Sequence, residues 1–124
     1  MIDFIIVEDN GEILINGSCP KDQLQYQKIE GCTTIKAKAD HSEDYYDFNK
    51  GAVKKKLVNP SYLEVTEIKS VPDPSTVTLY DGSANSVEVT DGEVKLDADV
   101  PGTYRVVVDS ADPKYYTAEF EVNL

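Results

Sequence analysis

The 124-residue chain is poor in the residues on which most enzyme chemistry depends. It has a single histidine, His41, and two cysteines, Cys19 and Cys32. A serine or cysteine nucleophile needs a base beside it, and His41 lies in an acidic stretch away from any nucleophile motif. Two cysteines alone cannot form a zinc site, and we expect them to be reduced, packed thiols. The sequence therefore predicts no catalytic residue and no enzymatic activity.

Three other kinds of segment are missing. No glycine-rich loop opens a helix, so no phosphate cradle is predicted. No apolar run is long enough to cross a bilayer, which predicts no membrane insertion. The start, Met1-Ile2-Asp3-Phe4, carries an acid where a secretory signal would carry positive charge. We expect a protein that stays in the cytoplasm or joins a particle assembled there.

Positive charge is also scarce. The formal net charge is −11, which argues against nucleic-acid binding because phosphates require clustered lysine and arginine. The charge is uneven. Residues 1–60 carry 10 acids and 8 lysines, a net −2, whereas residues 61–124 carry 13 acids and 4 bases, a net −9. The acidic half favours solubility and basic partners.

Acids in three turn-like segments raise the question of calcium: Asp81-Gly-Ser-Ala-Asn85, Asp97-Ala-Asp99 and Asp109-Ser-Ala-Asp112. None of these segments has the ligand spacing of an EF-hand loop. Aspartate and asparagine in turns commonly accept hydrogen bonds from their own backbone. We interpret these residues as turn formers and predict neither a metal nor a cofactor.

What the sequence does contain are short runs rich in valine, isoleucine, threonine and tyrosine, separated by turn residues, which predict an all-β chain. The run from Ile2 to Val7 and the run from Glu12 to Asn16 flank Asp9-Asn10-Gly11 and predict a hairpin. Its register stays open. The first strand is apolar on both faces, so we expect something to cover each side. A short helix within 21–29 is also expected.

Further strands are predicted at Thr33–Ala39 and in a hairpin of Tyr45–Phe48 with Ala52–Leu57. A turn at Lys50-Gly51 would place Phe48 opposite Val53 and Asp47 opposite Lys54. A boundary near Asn59, between proline-marked segments, gives an N-terminal β segment, 1–58, and a C-terminal domain, 59–124.

Five strands are predicted in the C-terminal domain, which indicates a compact antiparallel β-sandwich of immunoglobulin-like type. They are Tyr62–Ile68, Ser86–Thr90, Glu93–Leu96, Thr103–Asp109 and Tyr116–Leu124. Asp91-Gly92 predicts a tight hairpin with Val89 opposite Val94. The last strand places alternate residues, Tyr116 to Leu124, on one apolar face.

Partner-binding residues are predicted on three grounds. A first strand that is apolar on both faces could dock onto another protein, exposed tyrosines are enriched at interfaces, and a lysine run could touch an acidic partner. Of the pair Tyr115-Tyr116, Tyr115 is expected to point outward. The candidate residues are Phe4, Ile6, Tyr45, Lys54, Lys55, Lys56 and Tyr115.

The chain also resembles two kinds of known protein. Gly11-Glu-Ile-Leu-Ile-Asn-Gly17-Ser-Cys-Pro20, followed by Tyr45-Tyr46, resembles small virion or tail-associated proteins of tailed bacteriophages. Pro101-Gly102-Thr103-Tyr104 and Tyr115-Tyr116-Thr-Ala-Glu-Phe look like accessory β-sandwich modules of the PEGA type. These resemblances imply a binding or spacing role, and neither supplies a catalytic residue.

The leading hypothesis is a structural virion protein of the phage tail or its fibre attachment, assembled in the host cytoplasm. Its partners would be other phage structural proteins, and a homo-oligomer on the particle is an open alternative. Two rival functions remain. One is an adhesion module that binds a host carbohydrate, and the other is a chaperone that assembles a tail fibre and leaves the mature particle.

Overall fold

The computed structural model describes residues 1–124 and is all-β. It contains twelve strands, all in antiparallel pairs, in four sheets, with a single short 3₁₀ helix near the N-terminus. The chain divides into two compact units, Met1–Lys56 (unit 1) and Leu57–Leu124 (unit 2). The all-β prediction is confirmed. The expected boundary near Asn59 falls close to this division, and independent folding of each part stays a prediction.

Unit 1 has a three-stranded sheet and a separate hairpin. The sheet has the order β2-β1-β3 and the hairpin pairs β4 with β5. Lys21–Tyr26 forms the 3₁₀ helix, as expected for one or two helical turns in this region. The strands are β1 (Ile2–Val7), β2 (Ile13–Cys19), β3 (Thr33–Ile35), β4 (Asp44–Asp47) and β5 (Ala52–Lys55).

The first hairpin forms as predicted, and the structure fixes its register. The turn closes through the N–H of Glu8, which donates to Glu12 O at 2.9 Å, and the N–H of Gly11, which donates to Glu8 O at 3.0 Å. Gly11 has φ +96°, a left-handed conformation that favours glycine. The register then shifts between Ile6 and Val7. Such a bulge absorbs an extra residue and adds local twist.

The middle strand β1 is buried on both faces, as its apolar composition predicts. On one face Phe4 and Ile6 pack with Cys19, and on the other face Ile5 and Val7 pack with Ile13. The covers come from the same unit. Leu24 and Cys32 lie against the first cluster, and Tyr46 and Val53 lie against the second.

The second hairpin forms, but its predicted register is wrong. Tyr46, not Phe48, pairs with Val53, and Asp47 pairs with Ala52. Phe48 lies in a longer loop and contacts the Tyr46 ring edge-on, with centroids 4.9 Å apart. The two-residue shift places Tyr46 opposite Val53, and both side chains pack against the second cluster, whereas Phe48 stays 46% exposed.

Unit 2 is a sandwich of two antiparallel sheets that share one core. A four-stranded sheet has the order β12-β11-β8-β9, and a three-stranded sheet has the order β10-β7-β6. The core joins Ile68 of the smaller sheet to Val77, Val106, Val108 and Val122 of the larger one. The strands are β6 (Tyr62–Glu64), β7 (Glu67–Lys69), β8 (Ser75–Tyr80), β9 (Ala84–Val89), β10 (Val94–Lys95), β11 (Thr103–Ser110) and β12 (Ala118–Asn123).

The hairpin predicted at Asp91-Gly92 does not form. β9 pairs with β8, and β10 pairs with β7, where Val94 lies opposite Ile68. The chain therefore crosses from one sheet to the other at Asp91-Gly92. Gly92 has φ +86°, the positive φ that a tight turn at Asp91-Gly92 requires, and its carbonyl accepts a hydrogen bond from Val71 N–H at 2.8 Å. Local turn preference was correct, and the choice of pairing partner was wrong.

Two further corrections concern the strand count in unit 2. The strand predicted at Tyr62–Ile68 is two strands, β6 and β7, joined by a turn in which Val65 has φ +56°. The strand Ser75–Tyr80 was not predicted, although it pairs with both β9 and β11. The last strand is confirmed from Ala118 to Asn123, where Ala118, Phe120 and Val122 pack in or against the core, but Tyr116 lies outside the strand.

Asn59, expected at a domain boundary, is a buried part of unit 2. Its Nδ2 donates to Tyr116 O at 3.0 Å, and its Oδ1 accepts from the N–H of Ser61 at 3.0 Å and from Ser61 Oγ at 2.7 Å. Both residues are buried. The side-chain hydrogen bonds of Asn59 thus hold the first residues of unit 2 to the segment just before β12.

Candidate protein-contact surfaces

Phe4 and Ile6 lie inside unit 1 and present no contact surface. They are 6% and 3% exposed. The sequence correctly indicated an apolar strand with two faces to cover, but the 3₁₀ helix and the chain after it cover the face that carries these residues. Another protein could reach them only if unit 1 opened. The structure assigns both to the core.

The lysine run lies on β5 and just after it, beside acids of the same hairpin. Lys54 Nζ is 3.4 Å from Asp47 Oδ2, and Lys55 Nζ is 2.9 Å from Asp44 Oδ1. Lys56 is half-buried, and its N–H donates to Glu43 O. Local acids therefore neutralise much of the run. It is not the isolated basic patch that the spacing of three lysines indicates.

The carboxylates of this hairpin are held in the charged form. Burial alone would raise the pKa of Asp44, but a hydrogen bond from Asp40 N–H and the Lys55 ammonium outweigh it and lower that pKa. Asp47 shows the same balance, since the N–H of Lys50 and the Lys54 ammonium outweigh desolvation and lower its pKa. These interactions stabilise the hairpin loops.

Tyr45 is half-buried on β4, opposite Lys54. In the second tyrosine pair the expected orientation is reversed. Tyr115 is half-buried beneath Lys114, whose Nζ lies 5.2 Å from the ring centroid, while Tyr116 is 36% exposed. The apolar stripe of β12 begins at Ala118 rather than at Tyr116. Tyr115 lies before β12 and forms an isolated β-bridge with Leu57.

The structure reveals a surface that the sequence did not indicate, the outer edge of β9 in unit 2. This strand is the last in its sheet and pairs only with β8. Val87 lies opposite the buried Val77, so it faces the core side of the sheet, yet it is 51% exposed. We call the β9 edge together with the groove beside it the open edge.

The groove of the open edge has a volume of about 210 Å³. It lies between β9 and β10, which belong to different sheets. β10 is only two residues long, and it leaves this side of the sandwich uncovered. The apolar side chains that line the groove are Val77, Leu79, Val87, Val94 and Leu96.

Asp81, Asp97 and Asp112 accept local hydrogen bonds, as predicted for turn residues. Asp81 Oδ1 accepts hydrogen bonds from Ser83 N, Ser83 Oγ and Asn85 Nδ2, and these bonds lower the pKa of Asp81. No three histidine, cysteine, aspartate or glutamate side chains are grouped so that they could hold a metal ion. Cys19 and Cys32 are free thiols.

Comparison with known proteins gives no relative: no family model, no curated protein and no solved structure matches the chain. None of the helical segments has the length and apolar character needed to span a bilayer. The open edge is therefore described from its own geometry.

Proposed function

We propose that this protein is a non-catalytic structural component of a bacteriophage particle, in the tail or at the attachment of a tail fibre. It acts by contacts with other proteins. The observation that carries the proposal is the open edge, because an unpaired strand beside an apolar groove is a surface that another polypeptide can complete. The resemblance of the first half to tail-associated proteins is the reason for proposing a phage particle as the assembly.

The difference in net charge between the two units supports a different contact role for each unit. All 13 acids and 4 bases of residues 61–124 belong to unit 2, whose net charge is −9, while unit 1 is close to neutral. We place the docking contact on unit 1 and the projecting, partner-receiving surface on unit 2. Since Phe4 and Ile6 are buried, docking would use exposed apolar side chains of unit 1 such as Ile15, which is 41% exposed, and Phe48, which is 46% exposed.

Mass spectrometry of purified particles tests the proposal. The chain should be present at a constant number of copies per particle, and a wash in high salt should not remove it. An assembly chaperone would instead bind fibre protein in the lysate and be missing from mature particles. A chain that is missing from particles and bound to no fibre protein would refute both the particle role and the chaperone role.

A second candidate is binding of a host carbohydrate, and the outer face of the four-stranded sheet favours it. Tyr80 is 39% exposed and lies opposite Arg105, whose guanidinium is 5.0 Å from the Tyr80 ring centroid. Arg105 also bonds Glu119. An aromatic ring beside charged hydrogen-bonding groups can hold a sugar. A glycan array probed with the wild type and Tyr80→Ala tests this, and a silent wild type would remove the candidate.

A further inference from the structure

The open edge offers main-chain hydrogen-bonding groups that no other part of the chain uses. β9 forms its ladder with β8, and no other main-chain hydrogen bond involves residues 84–89. Side-chain hydrogen bonds to the main chain of these residues are also absent. An edge strand in this state presents a row of N–H and C=O groups to a new strand. The row is six residues long, the typical length of a strand.

The two faces of β9 differ, and an added strand would have to match both. On the core side, Val87 borders the apolar groove. On the outer side, Glu88 lies opposite Thr76 and carries a negative charge. Side chains directly opposite one another on neighbouring strands interact, and opposite charges there are favourable. A matching strand would alternate apolar residues over the groove with basic residues beside Glu88.

The surrounding charge supports a basic occupant. Lys95 is the only base that lines the groove. The other three bases of unit 2 are each paired with an acid of their own unit: Lys69 with Glu64, Arg105 with Glu119 and Lys114 with Asp112. Glu88 lies on β9, Asp97 lines the groove, and Asp91 and Glu93 lie in the connection between β9 and β10. A second copy of the chain would bring a further unit of charge −9 to this place, which like-charge repulsion opposes.

We propose that the open edge accepts an extended segment of a partner protein as a fifth strand of the four-stranded sheet, and that this segment alternates lysine or arginine with apolar residues. Main-chain hydrogen bonds would supply affinity, and the groove and Glu88 would supply specificity. The inference rests on the proposed function only in its general form, contact with another protein.

The test uses the full chain and a synthetic peptide of alternating lysine and valine. Two peptides serve as comparisons, one with the same residues in separate blocks and one of alternating glutamate and valine. Binding is followed by nuclear magnetic resonance of the protein labelled with ¹⁵N and ¹³C. The alternating basic peptide should shift and protect the outward amides of β9 and shift the methyl signals of Val87 and Val94. The block peptide and the acidic peptide should not.

A matched pair of variants separates strand pairing from general attraction to an acidic surface. Val87→Lys and Val58→Lys change the charge equally at exposed positions of unit 2, since Val87 is 51% and Val58 is 83% exposed. Lysine on an edge strand opposes further pairing. Val87→Lys should weaken binding of the alternating basic peptide at least about tenfold. The Val58→Lys variant should bind this peptide with an affinity near that of the wild type.

The inference is overturned if the two variants lose affinity equally, if the block peptide binds as well as the alternating one, or if no peptide shifts β9. These outcomes do not depend on particle composition. A chain found in purified particles whose β9 ignores the alternating peptide would leave the proposed function standing and remove the strand inference. A chain that is missing from particles but whose β9 binds the alternating peptide would remove the proposed function and leave the strand inference standing.

Discussion

Replacing Asn59 by alanine should destabilise unit 2 strongly and leave unit 1 unchanged. The side chain makes three hydrogen bonds, two of them to the buried Ser61. Each neutral bond contributes about 1 kcal/mol net, and a buried partner left unpaired costs about 1–3 kcal/mol. The bond to Tyr116 O is part-buried, and its loss costs about 1 kcal/mol. The expected loss is about 2–3 kcal/mol in the free energy of unfolding.

Such a loss is large for a unit of this size. Small domains have roughly 0.05–0.15 kcal/mol of stability per residue, which gives unit 2 only about 3–10 kcal/mol. Urea titration of the ¹⁵N-labelled full chain measures it, because amide signals report on each unit separately. Asn123→Ala is the control, since Asn123 is exposed and accepts one bond from Thr103 Oγ1 at 2.8 Å. A loss below about 0.5 kcal/mol, or an equal loss in unit 1, would refute the reasoning.

Three further predictions concern strain, ionisation and the core. Val65 has φ +56° and is 84% exposed. Val65→Gly should therefore relieve backbone strain and raise the melting temperature. As the control, Val58→Gly at a similarly exposed position should lower the melting temperature. Asp44→Asn should lower the thermal stability of unit 1 at pH 7. Because the folded pKa of Asp44 is lowered, the difference from the wild type should shrink as pH falls below the usual carboxyl pKa of 3.8 and through the folded pKa, and a difference that does not shrink at all below pH 3.8 would contradict this. Ile68→Ala, at a position with 0% exposure, should cost about 2–5 kcal/mol in urea titrations. Val87→Ala should cost far less, and equal costs would argue against the assigned core.

Features that depend on local sequence could be predicted. Alternation of valine, isoleucine and tyrosine with polar residues gives the β class, and Asn10-Gly11 gives the first hairpin. The two apolar faces of β1 correctly predicted a cover on each side. The apolar stripe of the last strand also holds from Ala118 onward. In each case one strand or one turn carries the whole signal.

Features that depend on the choice of pairing partner could not be predicted. A hairpin at Asp91-Gly92 would pair Val89 with Val94. In the structure Val89 pairs instead with Ser75, and Val94 pairs with Ile68. Either choice satisfies local turn chemistry, and the tertiary core decides. The strand Ser75–Tyr80 was missed between proline-marked segments, although its alternation from Ser75 through Val77 to Leu79 was a usable signal.

Two of the predicted contact residues, Phe4 and Ile6, were wrong for a related reason. Apolar character does not distinguish a surface from a core, so Phe4 and Ile6 were assigned to the surface. Three consecutive lysines do not reveal acids that folding brings beside them, as it does for Lys54 and Lys55. The open edge itself depends on which strand ends the sheet. A single sequence does not contain that information in a local pattern.

The central claim, that β9 is an open edge, is tested most directly by nuclear magnetic resonance of the unliganded protein. Main-chain nuclear Overhauser contacts should join β9 to β8, with Val87 opposite Val77, and should not join the main chain of β9 to that of β10. Amides of β9 that point away from β8 should exchange with solvent quickly, while those of the central strands β8 and β11 stay protected. Main-chain contacts that pair Val89 with Val94 across Asp91-Gly92, or uniform protection along β9, would contradict the claim.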